Sequence, residues 1–225
     1  FRAEAGYADS RHPDRVDFLR ELAPDLARRD FTVNAMAADA AGAVTDLFGG
    51  QDDLRRGVIR CVGDPAERFA EDALRMLRAL RFAARLSFRI DGETAAAIHA
   101  ARTRLRAVAP ERLHKELSGI LCGRQAAALL EEFSDVLFEL IPELAPCQGF
   151  RQYNPHHTRD VWTHTLAVVD GVPPEEPLRL AALLHDAGKP ATFSSIKISS
   201  AISTATRPPG PPSRRRSRSE ERRVG

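Results

Sequence analysis

From residue 64 to 88 the apolar positions recur at helical spacing. Set on one continuous helix, Phe69, Ala73, Leu74, Met76, Leu77, Leu80 and Ala84 fall within about 160° of arc, a stripe wide enough to face a core. The opposite arc carries Arg68, Glu71, Asp72, Arg75, Arg78 and Arg85. Such a face is either solvated and internally ion-paired or turned toward an anionic ligand. Arg81 belongs to neither group. Its azimuth lies between Leu77 and Leu74, so its guanidinium requires a buried partner or a ligand.

Upstream the pattern is weaker. Residues 1–20 are polar and broken by Gly6, Pro13 and Asp14, which predicts an irregular loop, although Phe1-Arg2 resembles the end of a strand. Residues 17–27 fit a short amphipathic helix interrupted at Pro24, and residues 31–38 fit helix or strand equally. Residues 43–47 and 58–62 fit strands, separated by Gly49-Gly50 and a helical turn over 51–56. Downstream, a turn at Asp91-Gly92 precedes a helix over 93–107, and Pro110 opens another at a position where its missing N–H costs nothing. Helical spacing continues over 124–133 and 135–141, so residues 64–145 read as helices joined by turns. After a boundary at 146–155, HHTRDVWTHTLAVVD and PLRLAALLHDAGK fit two further helices. From Ser194 periodicity is lost, and a Ser/Pro/Arg-rich stretch cannot bury enough apolar surface to fold.

Bulk properties narrow the class. With 43% hydrophobic residues, the 225-residue chain can build the core of one or two domains. It has no run of about eighteen apolar residues and no cationic start leading into an apolar segment, so neither a membrane span nor a signal peptide is expected. Cys61, Cys122 and Cys147 are few and far apart, which argues against a disulfide framework or a zinc cluster and makes a reducing cytoplasm the expected compartment. The net charge of +2 conceals an asymmetry: residues 194–225 hold eight Lys/Arg against two Asp/Glu, leaving the first 193 acidic by about four charges. Any nucleic-acid surface there is a local patch. The chain lacks an initiator Met and is expected to be a fragment.

Chemistry enters through spacing. An Asp and an Arg one turn apart, Asp72 and Arg75, offer acceptors and donors that can hydrogen-bond the edge of a nucleobase, and arginines stepping by three can meet a triphosphate. Arg28-Arg29-Asp30-Phe31-Thr32-Val33-Asn34-Ala35 gathers groups able to bind a phosphate and a ribose hydroxyl. Together with Asp46-Leu47-Phe48-Gly49-Gly50 and the run from Val62 through Glu71-Asp72 to Arg75, these stretches resemble the class II tRNA nucleotidyltransferase family, the bacterial CCA-adding enzymes and their poly(A) polymerase relatives. The resemblance covers residues 1–193.

The resemblance implies that RRDFTVNAMA recognises the ribose of the incoming nucleotide and that EDALR is an amino-acid template for the base of CTP or ATP. It implies nucleotide contacts from Arg29, Asp72, Arg75, Arg78 and Arg81, and a bracing role for Glu111-Arg112-Leu113-His114-Lys115-Glu116. On the continuous helix Arg81 lies about 180° from Asp72, so it acts from another side or serves structurally. The family's catalytic Gly-Ser and Asp-x-Asp motifs, which hold two Mg²⁺ for attack on the α-phosphate, have no counterpart here. The expectation is an incomplete N-terminus, no catalytic residue in this chain, and no transfer by the polypeptide as given.

A second group, His156-His157, His164 and His185-Asp186, lies in stretches that resemble an HD domain. By that resemblance His164, His185 and Asp186 match ligands of a divalent metal, while the distal Asp lies beyond the recognisable region, so the site is expected to be incomplete. The stretch beyond Ser194 is either a basic arm for RNA phosphates or a reading-frame artefact, and the artefact is favoured.

The expected architecture is α+β and mostly α-helical. Residues 1–62 form a remnant of the nucleotidyltransferase head, 63–149 a helical neck and body, 150–193 a partial helical HD domain, and 194–225 a disordered basic tail. The expected parent activity is CCA addition to tRNA 3′ ends from CTP and ATP. Poly(A) polymerase, an HD-type metal-dependent phosphohydrolase, and a binding-only relic are the alternatives.

Overall fold

The computed structural model describes residues 2–5, 15–18, 21–151 and 159–192. His156, His157 and the tail from Ser194 lie outside the described residues. One contact unit spans Phe1–Lys189 and contains all that follows.

The expected N-terminal loop contains an antiparallel pair instead, β1 (Arg2–Ala5) with β2 (Arg15–Phe18), Arg2 opposite Phe18. Asp17 and Phe18 therefore belong to a strand, and α1 begins only at Leu22 (Leu22–Ala27). Pro24 falls in its first turn, where backbone N–H groups have no intrahelical acceptor, so it does not interrupt the helix. Residues 31–38 resolve into a 3-10 turn (Thr32–Asn34) and β3 (Met36–Ala38), which pairs antiparallel with β4 (Val44–Asp46).

The Asp46 carboxylate then starts α2 (Gly50–Arg56), accepting from the N–H groups of Phe48 (3.2 Å), Gly50 (2.9 Å) and Gln51 (2.9 Å). Gly50 is required: a Cβ there would lie 2.1 Å from the Thr32 carbonyl oxygen. Next comes β5 (Val58–Ile59), which runs parallel to a strand the sequence pattern did not suggest, β6 (Arg89–Ile90). Two residues are too few to show an alternation.

The long helix expected over 64–88 is two helices, α3 (Pro65–Glu71) and α4 (Leu74–Leu86). Asp72 is extended (φ −146°, ψ 106°), and its Oδ1 accepts from the Leu74 N–H at 3.0 Å. This local bond competes with helix continuation and restarts the chain at a new phase. All seven residues of the expected stripe are nevertheless buried.

Asp91 caps α5 (Gly92–Ala101), which passes into 3-10 geometry over Arg102–Ala107. Then come α6 (Pro110–Leu121), α7 (Ala126–Glu132), α8 (Ser134–Leu140), α9 (Val161–Gly171) and α10 (Glu176–Leu184). The α4–α6 crossing is close because Gly119 of α6 carries no side chain: a Cβ would meet Arg81 Cδ at 2.5 Å. One continuous core joins Phe31 and Ile59, through Met76, Leu80, Ile120 and Phe133, to Trp162 and Leu183. The mostly helical α+β expectation is borne out.

Candidate functional site

The segment Asp30–Thr32 is the wall of a cleft. Thr32 N–H donates to Arg60 O (2.9 Å) and Val62 N–H to Asp30 O (3.1 Å), with Phe31 bridged to Cys61. Phe31 is fully buried and meets Phe82 of α4 edge-on, centroids 5.8 Å apart. Behind it, Thr32 Oγ1 donates to Asp53 (2.6 Å), Asp53 holds Arg60 (2.8 Å), and Arg60 reaches Phe48 O (2.9 Å). The two glycine- and arginine-bearing stretches singled out in the sequence are thus one scaffold. Burial pushes the neighbouring Cys61 thiol up to about 12, so this cysteine is a packing group and not a nucleophile.

The cleft, about 370 Å³, opens where this segment faces the start of α4. Arg28, Arg29 and Asp30 line one side; Asp72, Arg75 and Arg78 line the other, with Arg112 of α6 between them. Each guanidinium has a carboxylate: Arg28 and Arg29 have Asp25 (2.7 and 3.5 Å), and Arg75 has Glu71 (2.6 Å). Arg78 has Asp30 (2.6 Å) and Arg112 has Asp72 (3.0 Å). Asp30 is buried and also accepts from the Phe31 N–H and the Asn34 amide. Arginines held this way are positioned before any ligand arrives, and a phosphate can replace a carboxylate as acceptor without a change of rotamer.

Four of the five expected nucleotide contacts, Arg29, Asp72, Arg75 and Arg78, therefore share one cleft. Arg81 does not line it. Its Nε pairs with Glu116 of α6, a residue 5% exposed, and its guanidinium lies over the Phe82 ring at 4.6 Å. The buried partner demanded by its place on the apolar stripe is Glu116. The structure also separates Asp72 from Arg75 as a pair: Arg75 binds Glu71 and the carbonyl oxygen of Arg28 (3.3 Å), while Asp72 binds Arg112. The sequence pattern gives Arg112 only a bracing role and Glu71 a place in the EDALR template without naming its partner. Nothing local announces a partner forty residues away.

A second cluster lies between α9 and the end of α10. Donor atoms of His164, His185 and Asp186 all fall within 4.8 Å of one another. His185 Nδ1 is 2.8 Å from the Ala182 carbonyl oxygen, which can only accept, so Nδ1 is the donor there and Nε2 is the nitrogen turned to Asp186. Asp186 is buried; its Oδ2 lies 3.1 Å from His185 Nε2, 3.8 Å from His164 Nε2 and 2.7 Å from Lys189 Nζ. Two imidazoles and a carboxylate suit a divalent transition ion. Burial, and then Asp186 and Asp160, hold the nearby Cys147 thiol above its ordinary value. Among the described residues no helix is long and apolar enough to cross a membrane.

Comparison with known proteins gives the same direction. Residues 1–60 match the family described as Poly A polymerase head domain, and residues 87–147 match one described as Probable RNA and SrmB-binding site of polymerase A. The chain is 42% identical over 171 residues to a CCA-adding enzyme of Ligilactobacillus salivarius, covering 72% of this chain and 42% of that protein. It is 40% identical over 183 residues to a CCA-adding enzyme of Bacillus licheniformis, covering 78% and 46%. It thus spans less than half the length of either relative. Among solved structures it resembles the Bacillus stearothermophilus CCA-adding enzyme in complex with CTP, with TM-score 0.57, 30% identity, and 92% of this chain and 51% of that chain covered. A tRNA-processing enzyme with CTP gives TM-score 0.56 at 27% identity, covering 82% and 57%.

Proposed function

Because this chain belongs to the class II tRNA nucleotidyltransferases, we propose that it forms the nucleotide-selecting and RNA-holding part of an enzyme that adds CCA to tRNA 3′ ends from CTP and ATP in the cytoplasm. The observation that carries this reading is the meeting of Arg29 with Asp72, Arg75 and Arg78 in one cleft. The names of the curated relatives favour CCA addition over poly(A) addition.

The chemistry of the cleft explains the choice of bases. Cytosine and adenine each present an exocyclic amine donor beside a ring-nitrogen acceptor, whereas uracil and guanine present a carbonyl beside a ring N–H. A carboxylate acceptor at Asp72 with guanidinium donors at Arg75 complements the first pattern and opposes the second. Arg28, Arg29 and Arg78 face the phosphates. Magnesium would supply charge stabilisation at the reacting phosphate, but this chain contains no Asp-x-Asp pair to hold it. The chain alone therefore binds and selects without transferring. His164, His185 and Asp186 hold a separate divalent ion.

Equilibrium binding of CTP, ATP, UTP and GTP to the 225-residue chain tests the reading. CTP and ATP should bind tighter, and Asp72→Ala should erase about 10- to 100-fold of that preference, equivalent to about 1–3 kcal/mol. Equal affinity for all four nucleotides, or a preference that survives both Asp72→Ala and Arg75→Ala, would end it.

A further inference from the structure

Asp72 is not oriented by the helix that carries Arg75 and Arg78. It sits in the break between α3 and α4 with an extended backbone, so neither helix sets the direction of its side chain. Two hydrogen bonds do. Its Oδ1 accepts from the Leu74 N–H at 3.0 Å, and its Oδ2 accepts from Arg112 Nη2 at 3.0 Å. The first ties the carboxylate to its own backbone. The second comes from the first turn of α6 and fixes the twist of the carboxylate plane, a torsion that is otherwise broad and two-fold. Arg28, Arg29, Arg75 and Arg78 line the same cleft, and a carboxylate free to turn among them would settle on one of them.

We propose that Arg112 is a positioning residue for base selection: it holds Asp72 away from the other guanidiniums, so that the carboxylate stays open to the exocyclic amine of cytosine or adenine. The proposal rests on the base-selecting reading of the cleft. A bracing role is already filled one turn further along α6, where Glu116 pairs with Arg81 of α4, the two side chains 7% and 18% exposed. The Asp72–Arg112 pair is more open, at 22% and 27%, and adds less to stability. Its weight is in orientation. Each carboxylate oxygen has two lone pairs, so with one partner on Oδ1 and one on Oδ2 the group can still accept from a base. Arg75 is kept apart by other partners, Glu71 and the Arg28 carbonyl oxygen. Without Arg112, Asp72 would turn to Arg75, and the two groups aimed at the base would satisfy each other. The acceptor that separates cytosine and adenine from uracil and guanine would then be withdrawn, while the guanidiniums that face the phosphates would remain.

The test is equilibrium binding of CTP and UTP to the full chain and to Arg112→Met, Asp72→Ala and the double variant. Arg112→Met should lower the ratio of CTP to UTP affinity about tenfold, most of the loss being in CTP. A role confined to bracing would lower both affinities by one factor, and an unchanged ratio overturns the proposal. In the Asp72→Ala background Arg112→Met should change the ratio no further, because its effect runs through the carboxylate. A further loss there would mean that Arg112 meets the base itself, and would also overturn it. Arg112→Lys, which keeps a charged donor, should retain most of the preference. The ratio does not depend on the fraction of chain that is folded. If the Met variant does not fold at all, Arg112→Gln decides, with an expected loss of about threefold and an unchanged ratio counting against the proposal. An unsubstituted chain with no preference for CTP over UTP would remove the base-selecting reading and this proposal together. An Asp72-dependent preference that survives Arg112→Met removes this proposal alone.

Discussion

The cleft at the start of α4 and the histidine cluster beyond α9 solve opposite electrostatic problems. In the cleft, five arginines are met by four carboxylates, with Asp25 shared by Arg28 and Arg29 and Glu71, Asp30 and Asp72 holding one each, so most of the charge is cancelled. In the cluster, one buried oxygen, Asp186 Oδ2, faces two imidazole nitrogens and the Lys189 ammonium. An anion can enter the cleft by taking over donors already in place, so little side-chain entropy is lost on binding. A metal ion entering the cluster must displace an ammonium from the same oxygen. The first site is prepared for an anion; in the second, the Lys189 ammonium already sits on the oxygen that a bound cation would use.

The largest effect that could break this contrast lies behind the cleft. Glu116→Ala would leave the Arg81 guanidinium, 18% exposed, without its carboxylate. Removing one partner of such a pair typically costs about 3 kcal/mol, visible as a lower thermal midpoint. Since Glu116 shares α6 with Arg112, nucleotide affinity should fall with it. Combining Glu116→Ala with Arg81→Met should recover most of the stability. A double variant no more stable than the single one would show that the pair is not what braces α4 against α6.

The cluster provides the next test. The chain should retain about one equivalent of Mn²⁺ after gel filtration, and His185→Ala should weaken that binding at least about tenfold. Lys189→Met should tighten it, since the competing ammonium is gone. A chain that binds no Mn²⁺ in either form would leave the cluster as a structural charge network and remove the metal reading.

Why the two sites differ in how well they could be read follows from where their partners lie. The stripe from Phe69 to Ala84 was legible because burial depends on apolar spacing, and it survived a helix break that shifted its phase. The break itself was not legible: it hangs on one side-chain bond, Asp72 to the Leu74 N–H, that a uniform 100° step cannot represent. Arg78–Asp30, Arg81–Glu116 and Asp72–Arg112 are tertiary pairs. The pattern showed that Arg81 needed a partner without saying which. The histidine cluster was easier, because His185 and Asp186 are adjacent and His164 sits on the preceding helix.

The smallest predicted effect compares the caps that hold each region. The Gln51 N–H keeps the Asp46 carboxyl below its ordinary value; burial pushes the other way, and the N–H groups of Gly50, Phe48 and Gly49 add to the lowering. Asp160 starts α9, which carries His164; burial pushes its carboxyl up, but the Thr163 N–H (2.7 Å) and hydroxyl, the Gly149 N–H (3.0 Å) and Arg151 bring it below the ordinary value. A carboxyl with a depressed folded pKa contributes stability that is fully present above its unfolded value of 3.8 and is lost as pH falls through the folded one. Asn can still cap, so Asp46→Asn and Asp160→Asn should each cost only the charge–dipole part, about 0.3–1 kcal/mol at neutral pH and progressively less below about pH 4, read from urea midpoints. The two should part in their other readout: Asp160→Asn should loosen Mn²⁺ binding by displacing the helix of His164, and Asp46→Asn should leave it unchanged. Equal metal affinity in both variants, or midpoint differences that persist at pH 2, would mean that these caps neither titrate as described nor belong to separate sites.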